Sequence, residues 1–193
     1  MLEKKAVQGT EDIIVNFRRP STNRGILVEY VQTTAPIVGK DADPFVKEMG
    51  LEKGRLKESW HPLRLHHVGI VLPTMEAAHD FMKTNGLEVD YAGFVDAYHA
   101  DLIFTKKGEC SSPIEFIVPR EGVLKDFNGG RGGIQHIALR VDNIENAIAD
   151  LMAKGVKMID EKPRYGAGGA KIAFLHPKAT HGVLLEICEH EDR

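Results

Sequence analysis

Cysteine is scarce in this chain: two residues of 193, Cys110 and Cys188. Two isolated thiols cannot build the bridged framework of a small secreted protein, so a reducing cytoplasm is the default setting. Long apolar runs are missing too. Nothing approaches the ~20 consecutive apolar residues that span a bilayer. The opening "MLEKKAVQGTED" lacks the apolar core of a signal peptide. Nor is there an excess of positive charge, since Lys and Arg number 25 against 28 Asp and Glu. A net charge of -3 gives no footing for nucleic acid or an anionic membrane as partner. What remains is a chain with 42% hydrophobic and 27% charged residues, the composition of a globular protein long enough for a real core.

The information lies in repetition. "LHHVGIVLPTMEAAHDFMKTNGLEVD" (65–90) superimposes on "IQHIALRVDNIENAIADLMAKGVKMID" (134–160) at an offset of 69. His67 falls on His136, Glu76 on Glu145, Ala78 on Ala147 and Gly86 on Gly155. Each copy opens with an alternating strand and continues as an amphipathic helix that ends at glycine. In the second, Ile144, Ala147, Ile148, Leu151 and Met152 fall at helical spacing, with Lys154 and Gly155 as stop signals. The later parts match as well: "DLIF" with "KIAF", and "PIEFIV" with "LLEICE", which lays Glu115 over Glu186 at an offset of 71. Residues 64–190 are therefore expected to form two βαβββ modules, about 64–127 and 133–190. Alternating strands and short turns predict antiparallel pairing after each helix.

The N-terminus looks like a third, partial copy. "IIVNFRRPSTNRGILVEYVQ" (13–32) aligns with "AKIAFLHPKATHGVLLEICE" (170–189) at an offset of 157. Phe17, Pro20, Gly25 and Glu29 then meet Phe174, Pro177, Gly182 and Glu186. Residues 1–32 are thus expected to carry a terminal hairpin without its opening strand and helix. Residues 33–63 read as a linker, with a short helix possible in "DADPFVKEMG" from the cap Asp43 and Pro44 to the stop Gly50. "NGGRGG" (128–133) has the glycines of a phosphate loop but neither its strand nor its lysine, and reads as the joint between modules.

Duplication singles out His67 with Glu115 and His136 with Glu186. Taken one at a time, a histidine opening a strand is usually a hydrogen-bonded core or surface residue, and a strand glutamate usually faces water. Occurring at equivalent places in both repeats, the four predict one site about a pseudo-twofold axis. Two imidazoles and two carboxylates suit a divalent first-row ion such as Co, Ni, Mn, Fe or Zn better than Ca or Mg. On an ion accepting six donors, two adjacent positions remain for substrate oxygens. A cation also offsets the desolvation of carboxylates in apolar strands. Glu29, whose partial module has no opening histidine, is expected not to be a ligand.

"HHVGIVL", "GGIQHIALRVDNIENAIADLMAKGV" and "GVLLEICE" resemble segments of the vicinal oxygen chelate superfamily, which includes glyoxalase I, extradiol dioxygenases and the bleomycin- and fosfomycin-resistance proteins. The resemblance covers residues 64–190. It implies an α+β fold of paired βαβββ modules in an open, cup-like sheet, with metal ligands at His67, Glu115, His136 and Glu186. "DEKPRYGAGGAKIAFLHPKATHGVLLEICE" (160–189) is similar to the same stretch of the methylmalonyl-CoA epimerases, where glyoxalase I typically has an Asp-Pro-Asp-Gly type turn. This implies an isomerase that removes the α-proton of a 2-carboxyacyl thioester, with Glu186 as both ligand and proton carrier, acting as a homodimer on a small acyl-CoA substrate.

Epimerisation needs a second proton carrier. Those epimerases usually have a glutamate just before the strand that reads "DLIFTKKG" here, and this chain has "FVDAYHADLIF" instead. Asp96 lies nearest by alignment, and His99 offers the side chain best suited to moving protons near neutrality. Arg164, Lys171 and Lys178 are candidates for the phosphates of a CoA tail, whereas His176 and His181 flank a turn and are not expected to be ligands. Glyoxalase I-type lyase chemistry is the nearest rival. An extradiol dioxygenase would need three open positions, one of which Glu115 would occupy. A non-enzymatic binding protein would need none of the four ligands.

Overall fold

The structure is a computed structural model describing residues 7–8, 13–33, 64–108 and 111–189. The expected helix in 41–50 and Cys110 lie outside the described residues. Contacts divide the chain into two compact units, Met1–Leu56 and Lys57–Arg193.

In the first unit β1 (Val7–Gln8), β2 (Ile13–Arg18) and β3 (Val28–Thr33) form an antiparallel sheet in sequence order. Between β2 and β3 the chain turns through a short 3-10 helix at Pro20–Thr22. Gly25 N–H then donates to Pro20 O at 2.8 Å, and Arg24 and Gly25 are left-handed, with φ of 54° and 82°. The turn at 177–182 repeats every step. Gly182 N–H donates to Pro177 O at 2.8 Å, and His181 and Gly182 have φ of 53° and 91°. The strand pairing repeats too, with Phe17 opposite Glu29 as Phe174 is opposite Glu186.

The second unit is the α+β fold expected from the repeat. Its strands are β4 (Arg64–Val71), β5 (Val89–Val95), β6 (Ala100–Thr105), β7 (Ile114–Pro119), β8 (Gly133–Arg140), β9 (Arg164–Tyr165), β10 (Lys171–Leu175) and β11 (Leu185–Glu189). They form one curled open sheet in the order β5-β6-β7-β4-β8-β11-β10-β9. That order is symmetric about its centre. The opening strands β4 and β8 pair antiparallel, each runs parallel to the last strand of its own module, and the remaining pairings are antiparallel. The "NGGRGG" joint is compact, and a side chain at Gly132, where φ is +75°, would overlap the Val71 carbonyl.

Two helices, α1 (Met75–Asn85) and α2 (Ile144–Ala153), cover one face of this sheet. Thr74 and Asn143 cap them by accepting from Ala77 N and Asn146 N at 3.1 and 2.8 Å. Gly86 and Gly155 end them in the left-handed conformation. Ile144, Ala147 and Ile148 are buried against Ala173, Leu175 and Ile187, and Leu151 packs at the edge of that cluster. Met152, expected in the same stripe, is 42% exposed. At about 100° per residue it lies roughly 80° round from Ile144, off the buried arc.

Period-two alternation then separates core from cavity. In β7, Phe116 turns to the helix face, where its ring meets Phe81 edge-on at 5.3 Å, while Glu115 and Ile117 line the inside of the cup. In β11, Ile187 joins the helix-side core and Glu186 and Cys188 face the cup. Phe116 has no exposed surface. Phe116→Ala should destabilise the protein by about 3–5 kcal/mol, measured by denaturant unfolding; a loss under 1 kcal/mol would show that this helix–sheet contact is not a principal support.

Candidate metal centre

Inside the cup, four polar side chains are each 4–6% exposed: His67, Glu115, His136 and Glu186. Nε2 of His67 and Nε2 of His136 lie 2.9 Å apart. Glu115 Oε2 is 3.3 Å from the first and 3.4 Å from the second. Glu186 reaches them at 4.0 and 3.9 Å. The ligand atoms of His67, His136 and Glu186 all fall within 4.8 Å of one another.

These separations fit a small divalent ion. Donors ~2.1 Å from an ion at right angles are about 3.0 Å apart, and opposed donors about 4.2 Å. The nitrogen–nitrogen and nitrogen–carboxylate pairs fall between 2.9 and 4.0 Å, and the group whose ligand atoms all lie within 4.8 Å comprises His67, His136 and Glu186, without Glu115. The donors are also nitrogen and carboxylate oxygen, which first-row ions prefer.

A local irregularity aims each histidine. The β4–β8 register shifts between Leu65 and His67, and again between Gly69 and Ile70 where the partners step from His136 to Ile134. His66 and Gln135 are therefore skipped by the ladder. Each lines the cavity beside the histidine that follows it, although neighbours in a regular strand face opposite ways. His66 Nδ1 lies 2.7 Å from His67 Nδ1, and Gln135 Oε1 bonds His136 Nδ1. Since the amide oxygen only accepts, that bond places a proton on His136 Nδ1, so Nε2 can ligate once it gives up the proton it shares with Glu115. The same tautomer for His67 follows if its Nδ1 donates to His66. His66 and Gln135 were missed as site residues, although their own offset of 69 was available as a signal.

Electrostatics separates the carboxylates. Burial acts to raise Glu115, but hydrogen bonds from His136 and His67, with their charges, outweigh it and hold the carboxyl at about 2. Glu186 is pushed up to about 8 by burial and then by the Glu115 charge, with Arg164 opposing and Asp160 adding. Near neutrality these shifts keep Glu115 ionised and favour the protonated form of Glu186. The two shifts act oppositely on stability. The Glu186 contribution is present below 4.5 and is lost as pH rises through about 8. That of Glu115 is present above 4.5 and is lost as pH falls through about 2.

The cavity holding these groups has a volume of about 850 Å³. Apolar walls come from Leu102, Phe104, Ile172 and Phe174, with Tyr98 and Arg164 as polar members. Arg164 crosses between modules: its Nη1 donates to Tyr98 Oη at 2.9 Å and its Nε to Asp160 Oδ2 at 3.2 Å. Its guanidinium also lies 5.2 Å from the Phe174 ring, whose other neighbour is His136 at 5.6 Å.

The other expected site residues are placed differently. His99 borders the cavity, largely exposed, with Nδ1 2.9 Å from Glu121 Oε1. Asp96 is exposed and does not line the cavity. Lys171 pairs with Glu145 and Glu189 at 2.8 and 3.5 Å, and Lys178 is exposed away from the cavity wall. His176 accepts from Lys178 N at the turn that His181 closes. Glu29 is exposed.

A family model described as Glyoxalase/Bleomycin resistance protein/Dioxygenase superfamily matches residues 66–174. The chain belongs to this superfamily. Among curated proteins the superfamily member described here is 33% identical over 131 residues to human mitochondrial methylmalonyl-CoA epimerase, covering 66% of this chain and 74% of that one. It is likewise 33% identical over 130 residues to the ethylmalonyl-CoA/methylmalonyl-CoA epimerase of Cereibacter sphaeroides, covering 64% of this chain and 96% of that one. A methylmalonyl-CoA epimerase solved with methylmalonyl-CoA and NH4+ matches with a TM-score of 0.61 at 28% identity, over 67% of this chain and 95% of the other. By this relationship the protein is an epimerase-like isomerase. Among the described residues, no helix is long and apolar enough to cross a membrane.

Two outcomes follow from the geometry. Binding a divalent ion at pH 7 should release protons, that of Glu186 among them, and the Glu186 share should fade above pH 8. Titration calorimetry in buffers of different ionisation enthalpy measures this, and no release at pH 7 would show Glu186 already ionised. Gly69 faces His136 across the β4–β8 ladder, and a Cβ there would overlap the imidazole and stand 2.7 Å from its Nε2. Gly69→Ala should therefore weaken metal affinity about 10-fold or more by equilibrium dialysis, and an unchanged affinity would contradict this placement.

Proposed function

We propose that the protein epimerises a 2-carboxyacyl thioester of the methylmalonyl-CoA kind at C2, using a divalent first-row ion held by His67, Glu115, His136 and Glu186. The observation carrying this reading is the convergence of four buried donors, two from each module, in a cavity that admits a small acyl group. The epimerase relatives support it. The ion, when bound, supplies Lewis-acid stabilisation of the enolate formed when the α-proton leaves. His67 and His136 hold their rings in place through His66 and Gln135. Glu186 takes and returns the α-proton from within a wall that excludes most water, while Glu115 stays ionised. The reading includes a homodimer in a cytoplasmic setting. The mitochondrial placement belongs to the name of the human relative.

The test strips the protein of metal, restores Co, Ni or Mn, and supplies methylmalonyl-CoA in deuterated water. Metal-dependent α-deuteration and loss of optical purity are expected, and Glu186→Gln should lower both by at least ~100-fold. No exchange with any metal would sink the epimerase reading. Turnover of the methylglyoxal–glutathione adduct in its place would assign the site to glyoxalase chemistry.

A further inference from the structure

Inverting a carbon through a planar enolate needs a proton carrier on each face. Glu186, from the last strand of the second module, can serve one. One of the first-module segments that line the cavity is the turn just before β6, through Ala97, Tyr98 and His99. Within it Asp96 points to solvent, and His99 is exposed and occupied by Glu121. Tyr98 is the member whose side chain packs inward, against Ile172, Phe174 and Cys188 on one side and Leu102 and Ile117 on the other.

Resting on the epimerase reading, we propose that Tyr98 Oη is the second proton carrier, acting on the face of C2 opposite Glu186, with Arg164 as its positioning residue. The Arg164 bond fixes which way the hydroxyl works. Because Nη1 donates to Oη, the phenolic proton is free to point elsewhere, and the same bond stabilises the phenolate left after transfer. Burial raises the Tyr98 hydroxyl above its ordinary range, with Arg164 opposing and the charges of Glu186 and Glu115 adding. The group therefore rests as the phenol, ready to donate.

The step balances. The C2–H bond breaks and its proton passes to the Glu186 carboxylate, leaving the electron pair in the enolate. That pair takes the Tyr98 proton on the other face, forming the new C2–H bond and a phenolate beside Arg164. Glu186 returns its proton to solvent, and solvent reprotonates Tyr98. No proton is consumed overall, and the reverse reaction uses the same two groups with roles exchanged.

Tyr98→Phe keeps the ring and removes the hydroxyl, so metal affinity by equilibrium dialysis should match the wild type. Epimerisation should fall at least ~100-fold. Given each pure epimer in deuterated water, the variant should label only the one whose α-proton faces Glu186, and should keep its configuration. Wild-type epimerisation by Tyr98→Phe, equal loss of labelling from both epimers, or weakened metal binding would each overturn the assignment. One-sided labelling by Asp96→Asn or His99→Ala would hand the role to that residue and overturn it too. An inactive wild type would instead reject the epimerase reading itself, and Tyr98 with it.

Discussion

Four buried polar side chains gathered inside one cup, His67, Glu115, His136 and Glu186, are the constraint on which the rest of this structure depends. Placing two carboxylates and two imidazole lone pairs out of water is unfavourable unless a cation sits among them. The duplicated fold supplies these groups at little cost in chain length. Each module contributes a histidine from its opening strand and a glutamate from its last, and these two strands lie side by side and parallel. Pairing the opening strands at the centre of the sheet brings the two half-sites together. The helices bury the opposite face, which leaves the inner face free for chemistry.

Symmetry of ligands does not make the site symmetric in behaviour. Glu115 and Glu186 occupy equivalent strands, yet their carboxyls are driven in opposite directions, to about 2 and about 8. Glu115 is closer to both imidazoles, whereas Glu186 stands farther from them and takes the repulsion of its twin. A duplicated scaffold thereby provides one carboxylate fixed as an anion and another able to exchange a proton. Arg164 and Tyr98 extend the asymmetry, because the matching turn of the second module carries Ala167, Gly168 and Gly169 where the first carries Asp96, Ala97 and Tyr98.

Much of this was legible in the sequence because it rests on period. Strand alternation, helical spacing and the offsets of 69 and 71 residues singled out the two repeats and the four polar side chains that the fold buries, His67, Glu115, His136 and Glu186. The bulges at His66 and Gln135 were not legible, since a skipped residue leaves the letters unchanged and appears only in strand pairing. Tyr98 escaped for another reason. A tyrosine in a turn is ordinary, and its inward packing shows only in the folded chain, where Arg164, 66 residues away, donates to its hydroxyl. Met152 failed where the apolar arc of a short helix narrows.

The N-terminal hairpin serves as an experiment that the chain has run on itself. It has the same strand pairing, the same proline-led turn and the same left-handed pair of residues as the hairpin carrying Glu186. Its glutamate nevertheless lies in solvent. Among the described residues no strand pairs with β3 on its other side, whereas β11 is flanked by the histidine strand β8. Shape is therefore a property of the hairpin, and acidity a property of the company it keeps. One local phrase, copied within a single chain, leaves its glutamate in water in one setting and buries it beside two histidines in the other.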